Sequence, residues 1–147
     1  MTHDEKAAIS RVADACRCGL EGLANNKSST FHRFPVVACG PASEIVGRVL
    51  SETLQYHGFY VFACQHPDLN EATHAWYEVG PLIIDITHDQ FKGTGLKGWV
   101  FEQECQWYSQ FASQKRRPGF SSPSDWRGYP NDGYEAAMYE VAKRCLP

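Results

Sequence analysis

The sequence predicts an α+β domain in which two helices precede a mostly antiparallel sheet and one helix closes the chain. Two observations lead to this fold class. Early in the chain, apolar residues recur at steps of three and four, as on one buried face of a helix. From Phe59 the pattern changes to period two, with the β-branched and aromatic residues typical of strands. The 147 residues contain no long linker, so we expect a single domain over residues 1–147.

Two helices are expected before the sheet, the first over Asp4–Ala24 and the second from Pro41 to a stop at Gly58, with a polar loop at 25–30 between them. Thr2 followed by Glu5 fits a capping box at the start of the first helix. Proline suits the first turn of a helix, so the second helix begins at or beside Cys39-Gly40.

Four strands are then expected, at Phe59–His66, Thr73–Val79, Leu82–Thr87 and Trp99–Tyr108. Residues 115–133 are rich in Pro, Gly, Ser and Asp and are interpreted as a long surface loop, with Lys115-Arg116-Arg117 as a solvated turn. A terminal helix is expected from about Gly133 to Cys145.

Cys39 is the first residue that points to chemistry. The first backbone N–H groups of a helix have no internal partners, and the helix dipole places partial positive charge there. Both effects favour a thiolate, which is the nucleophilic form of cysteine. The alternative is that Cys39 is a small buried hydrophobic residue.

His74 and Asp85 lie on two adjacent predicted strands that reverse at Gly80-Pro81. If Gly80-Pro81 form a two-residue loop, Asp85 is the diagonal neighbour of His74, and if the loop is Val79-Gly80, the two residues face each other. Both registers place the side chains on one face of the sheet, with Cβ atoms about 5–7 Å apart. A loop of odd length would separate them.

Cys39, His74 and Asp85 therefore form a candidate catalytic triad, in which Cys39 is the nucleophile, His74 the general base and acid, and Asp85 the residue that orients the imidazole. The alternative is a core cysteine beside an ordinary histidine–aspartate hydrogen bond. A binding module that keeps the fold without catalysis, or a toxin or effector domain that uses the triad to modify a target protein, also stays open.

Three segments carry a resemblance to a known family, namely residues 39–43, 73–79 and 83–87. Cys39-Gly40-Pro41-Ala42-Ser43, the histidine strand with His74-Ala75-Trp76, and the aspartate strand Ile83-Ile84-Asp85-Ile86-Thr87 resemble the corresponding motifs of transglutaminase-like and papain-like cysteine hydrolases, specifically small bacterial members. The resemblance covers roughly residues 34–91. It implies a nucleophile helix packed on an antiparallel sheet, a thioester intermediate, a protein or peptide substrate, and no metal or other cofactor. It leaves peptidase, glutamine deamidase and transglutaminase activity open.

The sequence departs from papain-like peptidases before the nucleophile. Those enzymes have a glutamine there as an oxyanion donor, whereas residues 32–38 contain none. The Cys39 N–H is one donor, and its partner is unassigned. His88 and Asp89 are alternative members of the triad if the hairpin register is shifted. Trp76 is expected either to line the cleft or to pack in the core. Gly93-Thr94-Gly95 is expected to form a loop at the cleft edge.

Other functions receive less support. A formal net charge of −3 gives no surface suited to nucleic acid. No apolar run is long enough for a membrane span, and the charged N-terminus does not look like a signal peptide. We therefore expect a cytoplasmic protein with reduced thiols unless it is delivered as an effector.

A zinc site from Cys39, Cys64, His66 and His74 lacks a paired ligand motif. Cys16, Cys18, Cys64, Cys105 and Cys145 are expected to be structural thiols.

Overall fold

A computed structural model describes residues 1–144 and confirms the α+β fold class. The helices in this range are α1 (His3–Glu21), α2 (Cys39–Leu54), α3 (Gln106–Ser109) and α4 (Asn131–Arg144). The strands are β1 (Phe59–Cys64), β2 (His74–Val79), β3 (Leu82–Ile84), β4 (Val100–Glu102) and β5 (Ser113–Pro118). They form one antiparallel sheet in the order β4-β3-β2-β1-β5. Cys145, where the sequence placed the end of the last helix and a structural thiol, lies outside the described residues.

Both faces of this sheet carry a hydrophobic core. On one face, buried residues of α1, α2 and α4 pack against Tyr77, Val79 and Ile84. On the other face, Trp76 and Ile83 pack against the aromatic residues of α3 and the residues just after it. Strand β2 is central, and all six of its residues are buried. His74, its first residue, is therefore held inside the molecule.

The starts of the first two helices agree with the sequence, but both helices end earlier than expected, α1 at Glu21 and not Ala24, and α2 at Leu54 and not Gly58. The Glu5 N–H donates to Thr2 Oγ1 at 3.1 Å and the Thr2 N–H donates to Glu5 Oε2 at 2.7 Å, which confirms the capping box. Helix α2 begins at Cys39 but ends at Leu54, where Gln55 adopts a left-handed conformation with φ of 57°. Gly58 does not stop the helix. Glycine is needed at this position because a Cβ would lie 1.9 Å from the Glu78 carbonyl oxygen.

Two other segments differ from the sequence-based expectation. Within Trp99–Tyr108 only β4 is a strand, and α3 follows it and turns Trp107 and Tyr108 into the core. The segment interpreted as a loop from residue 115 begins in β5, which pairs with β1 at the sheet edge. Lys115-Arg116-Arg117 are exposed strand residues. Their polar side chains show no strand pattern in the sequence, because this strand is defined by its backbone pairing with β1. No helix within residues 1–144 has the length and apolar character to cross a bilayer.

Gly58→Ala tests the close approach of β1 to β2. We expect the free energy of unfolding to fall by about 1–3 kcal/mol in urea denaturation, because the new methyl group overlaps the Glu78 carbonyl. Gly22→Ala is the matched control, since the nearest atom to its new Cβ would be the Gly19 carbonyl oxygen at 3.4 Å and its φ is −62°. Equal losses in both variants would contradict this packing.

Candidate active site

His74 and Asp85 meet as the hairpin predicts. Val79 pairs with Leu82, so Gly80-Pro81 is a two-residue loop and the diagonal arrangement is the one observed. The Nε2 atom of His74 lies 2.6 Å from Oδ2 of Asp85. The two residues are only 0% and 2% exposed, so this hydrogen bond is shielded from water.

The Asp85 carboxylate is surrounded by hydrogen-bond donors. The backbone N–H and the hydroxyl of Thr87 donate to Oδ1 at 3.0 and 3.3 Å, and the Tyr108 hydroxyl donates to Oδ2 at 2.8 Å. Asp85 lies just beyond β3, where its own N–H donates to the Trp99 carbonyl at 2.8 Å. These donors compensate a buried negative charge that would otherwise be unfavourable.

Aromatic rings enclose the imidazole of His74. Phe91 and Trp107 meet it edge-on, with ring centroids at 5.1 and 5.9 Å, and Phe111 stacks at 6.3 Å. Trp76 lies at 5.8 Å. It is fully buried and donates its indole N–H to Glu78, so it belongs to the core and does not line a cleft. The rings leave the imidazole little freedom to rotate.

Cys39 approaches the other side of the imidazole. Its half-buried thiol is in hydrogen-bonding contact with the His74 side chain and with the backbone N–H of Ala75. Because Asp85 occupies Nε2, the nitrogen available to the thiol is Nδ1. The structure thus brings together the three residues that the sequence singled out, in the order thiol, imidazole and carboxylate.

Asp85 and Cys39 each form a favourable charge pair with His74. Burial raises the pKa of Cys39, but the hydrogen bond and positive charge of His74 outweigh it and leave the pKa below its ordinary value. Burial lowers the pKa of His74, but Asp85 and Cys39 raise it to about 9. Burial also raises the pKa of Asp85, yet His74, Thr87 and Tyr108 hold it below its usual range. The arrangement favours a thiolate–imidazolium pair near neutral pH.

The turn after Asp85 is held in place by hydrogen bonds from Arg17 and to the backbone. Asp89 accepts two hydrogen bonds from Arg17, at 2.7 and 2.8 Å, and the same guanidinium donates to the Ile86 carbonyl at 2.8 Å. His88 is hydrogen-bonded to the Gly98 carbonyl at 2.7 Å. His88 and Asp89 therefore build the turn and do not replace a member of the triad. Gln90, at the end of the same turn, places Nε2 3.3 Å from Nδ1 of His74.

Tyr108 and Gln90 are site residues that the sequence analysis did not identify. Tyr108 was placed in a strand, and no local pattern connects it with Asp85. Gln90 belongs to the same short segment as His88 and Asp89. Its closeness to the end of the aspartate strand was the available signal.

The zinc alternative gains no support from the geometry. His66 is hydrogen-bonded to the Trp107 carbonyl at 3.0 Å and to the Asp68 N–H at 3.1 Å. Across residues 1–144, no three histidine, cysteine or acidic side chains are grouped so that they could hold a metal ion. Gly93 and Thr94 line a cavity of about 360 Å³ together with Cys105 and Trp107. Cys16 is buried in the core, as the sequence predicts.

Comparison of the chain with protein-family models, with curated proteins and with solved structures gives no match. Functional inference therefore depends on the residues of the site and on their contacts.

The pH dependence of Cys39 alkylation tests the charge pair. In the wild-type protein we expect the rate of reaction with iodoacetamide to reach half its maximum below the ordinary thiol pKa. Asp85→Asn removes the charge that stabilises the imidazolium, so the midpoint should move to higher pH. Asp14→Asn, an exposed carboxylate on α1, is the control. An unchanged midpoint in Asp85→Asn would show that Asp85 does not tune the thiol.

Tyr108→Phe tests the support of the buried carboxylate. The change removes a 2.8 Å hydrogen bond to Asp85, and we expect a loss of about 1.5–3 kcal/mol in unfolding free energy near neutral pH. Tyr139→Phe removes the hydroxyl of a ring that is 66% exposed and serves as the control. Urea denaturation of the two variants should separate them, and equal stability would contradict a role for the Tyr108 hydroxyl.

Proposed function

We propose that the protein is a cysteine-dependent hydrolase or acyl transferase that acts on amide bonds. Cys39 is the nucleophile, His74 is the general base and acid, and Asp85 orients the imidazole. One observation carries the proposal: a thiol at a helix N-terminus contacts an imidazole whose other nitrogen lies 2.6 Å from a buried carboxylate. This is the geometry that activates a nucleophile.

The chemistry would proceed in two stages. The Cys39 sulfur attacks the substrate carbonyl carbon, a C–S bond forms, and the π electrons of the carbonyl move to oxygen. The Cys39 N–H, at the first position of α2, is available to donate to that oxygen. His74 then gives its Nδ1 proton to the leaving nitrogen as the C–N bond breaks. An amine or ammonia departs and a thioester remains on Cys39.

The second stage decides the class of activity. Water that loses a proton to His74 would hydrolyse the thioester, whereas an incoming amine would complete acyl transfer. Backbone cleavage, deamidation of a glutamine side chain and transglutamination share the first stage. We propose a protein or peptide as the substrate, because Cys39 is only half-buried and the exposed apolar side chains of Val36 and Val37 lie just before its helix.

We also propose a papain-like or transglutaminase-like core. The supporting features are that α2 packs on the central strand β2, that β2 begins with the histidine, and that the aspartate directly follows β3. Tyr77 of β2 lies so close to Gly47 of α2 that a Cβ there would be 2.5 Å from the ring. This close packing fits a nucleophile helix laid directly on an antiparallel sheet.

Product analysis on intact proteins and peptides tests the proposed activity. With a primary amine added, mass spectrometry distinguishes a cleaved backbone, a side-chain amide converted to a carboxylate, and an amine adduct. Cys39→Ala should reduce product formation at least about 10³-fold, because no thioester can form. Cys18→Ala, on α1, is the matched control and should keep full activity. Products that persist in Cys39→Ala would exclude Cys39 as the nucleophile.

A further inference from the structure

We propose that the side-chain amide of Gln90 is the second oxyanion donor of this site, a role that rests on the proposed function. The Cys39 N–H is the first donor, and residues 32–38 hold no glutamine that could be the second. Gln90 follows the aspartate strand along the chain and lies beside His74. Its position comes from a turn that the triad itself does not include.

The first argument is the position of the amide. Gln90 Nε2 lies 3.3 Å from Nδ1 of His74, the nitrogen that faces Cys39. Gln90 is partly exposed, while aromatic rings close the other sides of the imidazole. The amide therefore lies at the open edge of the nucleophile–base pair, where a substrate carbonyl has access.

The second argument is that the Gln90 N–H gains an acceptor only when the reaction begins. In the thiolate–imidazolium pair Nδ1 carries a proton and is a donor, so the neighbouring Gln90 N–H has no acceptor on the ring. The oxygen of the tetrahedral intermediate then supplies a new, negatively charged acceptor. The interaction is thus stronger in the transition state than in the resting enzyme, which is the condition for catalysis.

The third argument is that the backbone carrying Gln90 is held in place. The preceding residue, Asp89, makes two hydrogen bonds with Arg17, which is itself only 8% exposed. The guanidinium lies between the rings of Phe34 and Trp99, at 4.7 and 4.4 Å from their centroids. A donor on such a fixed turn requires little reorganisation when charge develops.

Tyr60 is the competing donor. Its hydroxyl lies 3.3 Å from the position that a Cβ on Gly40 would take, next to the nucleophile. Its ring is covered by the Arg117 guanidinium at 4.5 Å. Gln90 is the better candidate because its amide contacts the reacting nitrogen of His74 itself.

Two reagents that modify the same sulfur test the role of Gln90 without a known substrate. With p-nitrophenyl acetate, the Cys39 thiolate attacks the carbonyl carbon, the π electrons move to oxygen, and collapse expels p-nitrophenolate with the bonding electrons of the C–O bond. With iodoacetamide, the thiolate displaces iodide from a saturated carbon, and no oxyanion forms. Both rates need the thiolate, so their ratio isolates the stabilisation of the oxyanion. Peptide mass spectrometry reads both products at Cys39.

Gln90→Met keeps the length of the side chain and removes its donors. We expect acylation of Cys39 to slow at least about tenfold, while alkylation changes by less than about threefold. Gln110→Met, which alters an exposed glutamine at the end of α3, is the matched control and should leave both rates unchanged.

Three results would overturn the assignment. Equal slowing of both reactions in Gln90→Met would mean that Gln90 only positions His74. Unchanged rates would remove it from the site, and a selective loss of acylation in Tyr60→Phe alone would transfer the role to the hydroxyl. If wild-type Cys39 is alkylated no faster than Cys18, the proposed function fails and this proposal fails with it. Fast alkylation combined with any of the first three results overturns only the role of Gln90.

Discussion

The hydrogen bond between His74 and Asp85 is the interaction on which the whole site depends. It commits one imidazole nitrogen to the carboxylate and leaves the other for Cys39. Buried groups interact strongly because little water screens them, so the carboxylate can stabilise an imidazolium that burial alone would disfavour. The same burial makes the carboxylate dependent on Thr87 and Tyr108, which supply the donors that water would otherwise provide.

The fold sets the distances that this interaction needs. Strand β2 lies at the centre of the sheet and is covered on both faces, which keeps His74 away from solvent. Gly47 allows α2 to lie directly on Tyr77 of that strand. The helix start, with Cys39, is thereby brought against the beginning of β2. The small residue at this helix–strand contact thus helps to place Cys39 beside His74.

Local patterns in the sequence predicted the triad. The features that they did not predict depend on contacts between residues that are distant in the sequence, or on a turn. The Gly80-Pro81 loop fixes which side chains of its hairpin share a face, so the pairing of His74 with Asp85 could be predicted. Tyr108 could not, because its hydroxyl reaches Asp85 across 23 residues of sequence. Strand β5 was missed because its exposed side chains are polar and only pairing with β1 defines it. Gln90 was missed because a turn, which no periodicity marks, aims its amide at the imidazole.

An NMR titration of the imidazole nitrogens of His74 tests the central claim most directly. The account predicts that the ring stays protonated through neutral pH and titrates near pH 9. In Cys39→Ala its pKa should fall, because the thiolate that helps to hold the proton is absent. A His74 that titrates near its ordinary value of 6.5 in both proteins would contradict the thiolate–imidazolium pair.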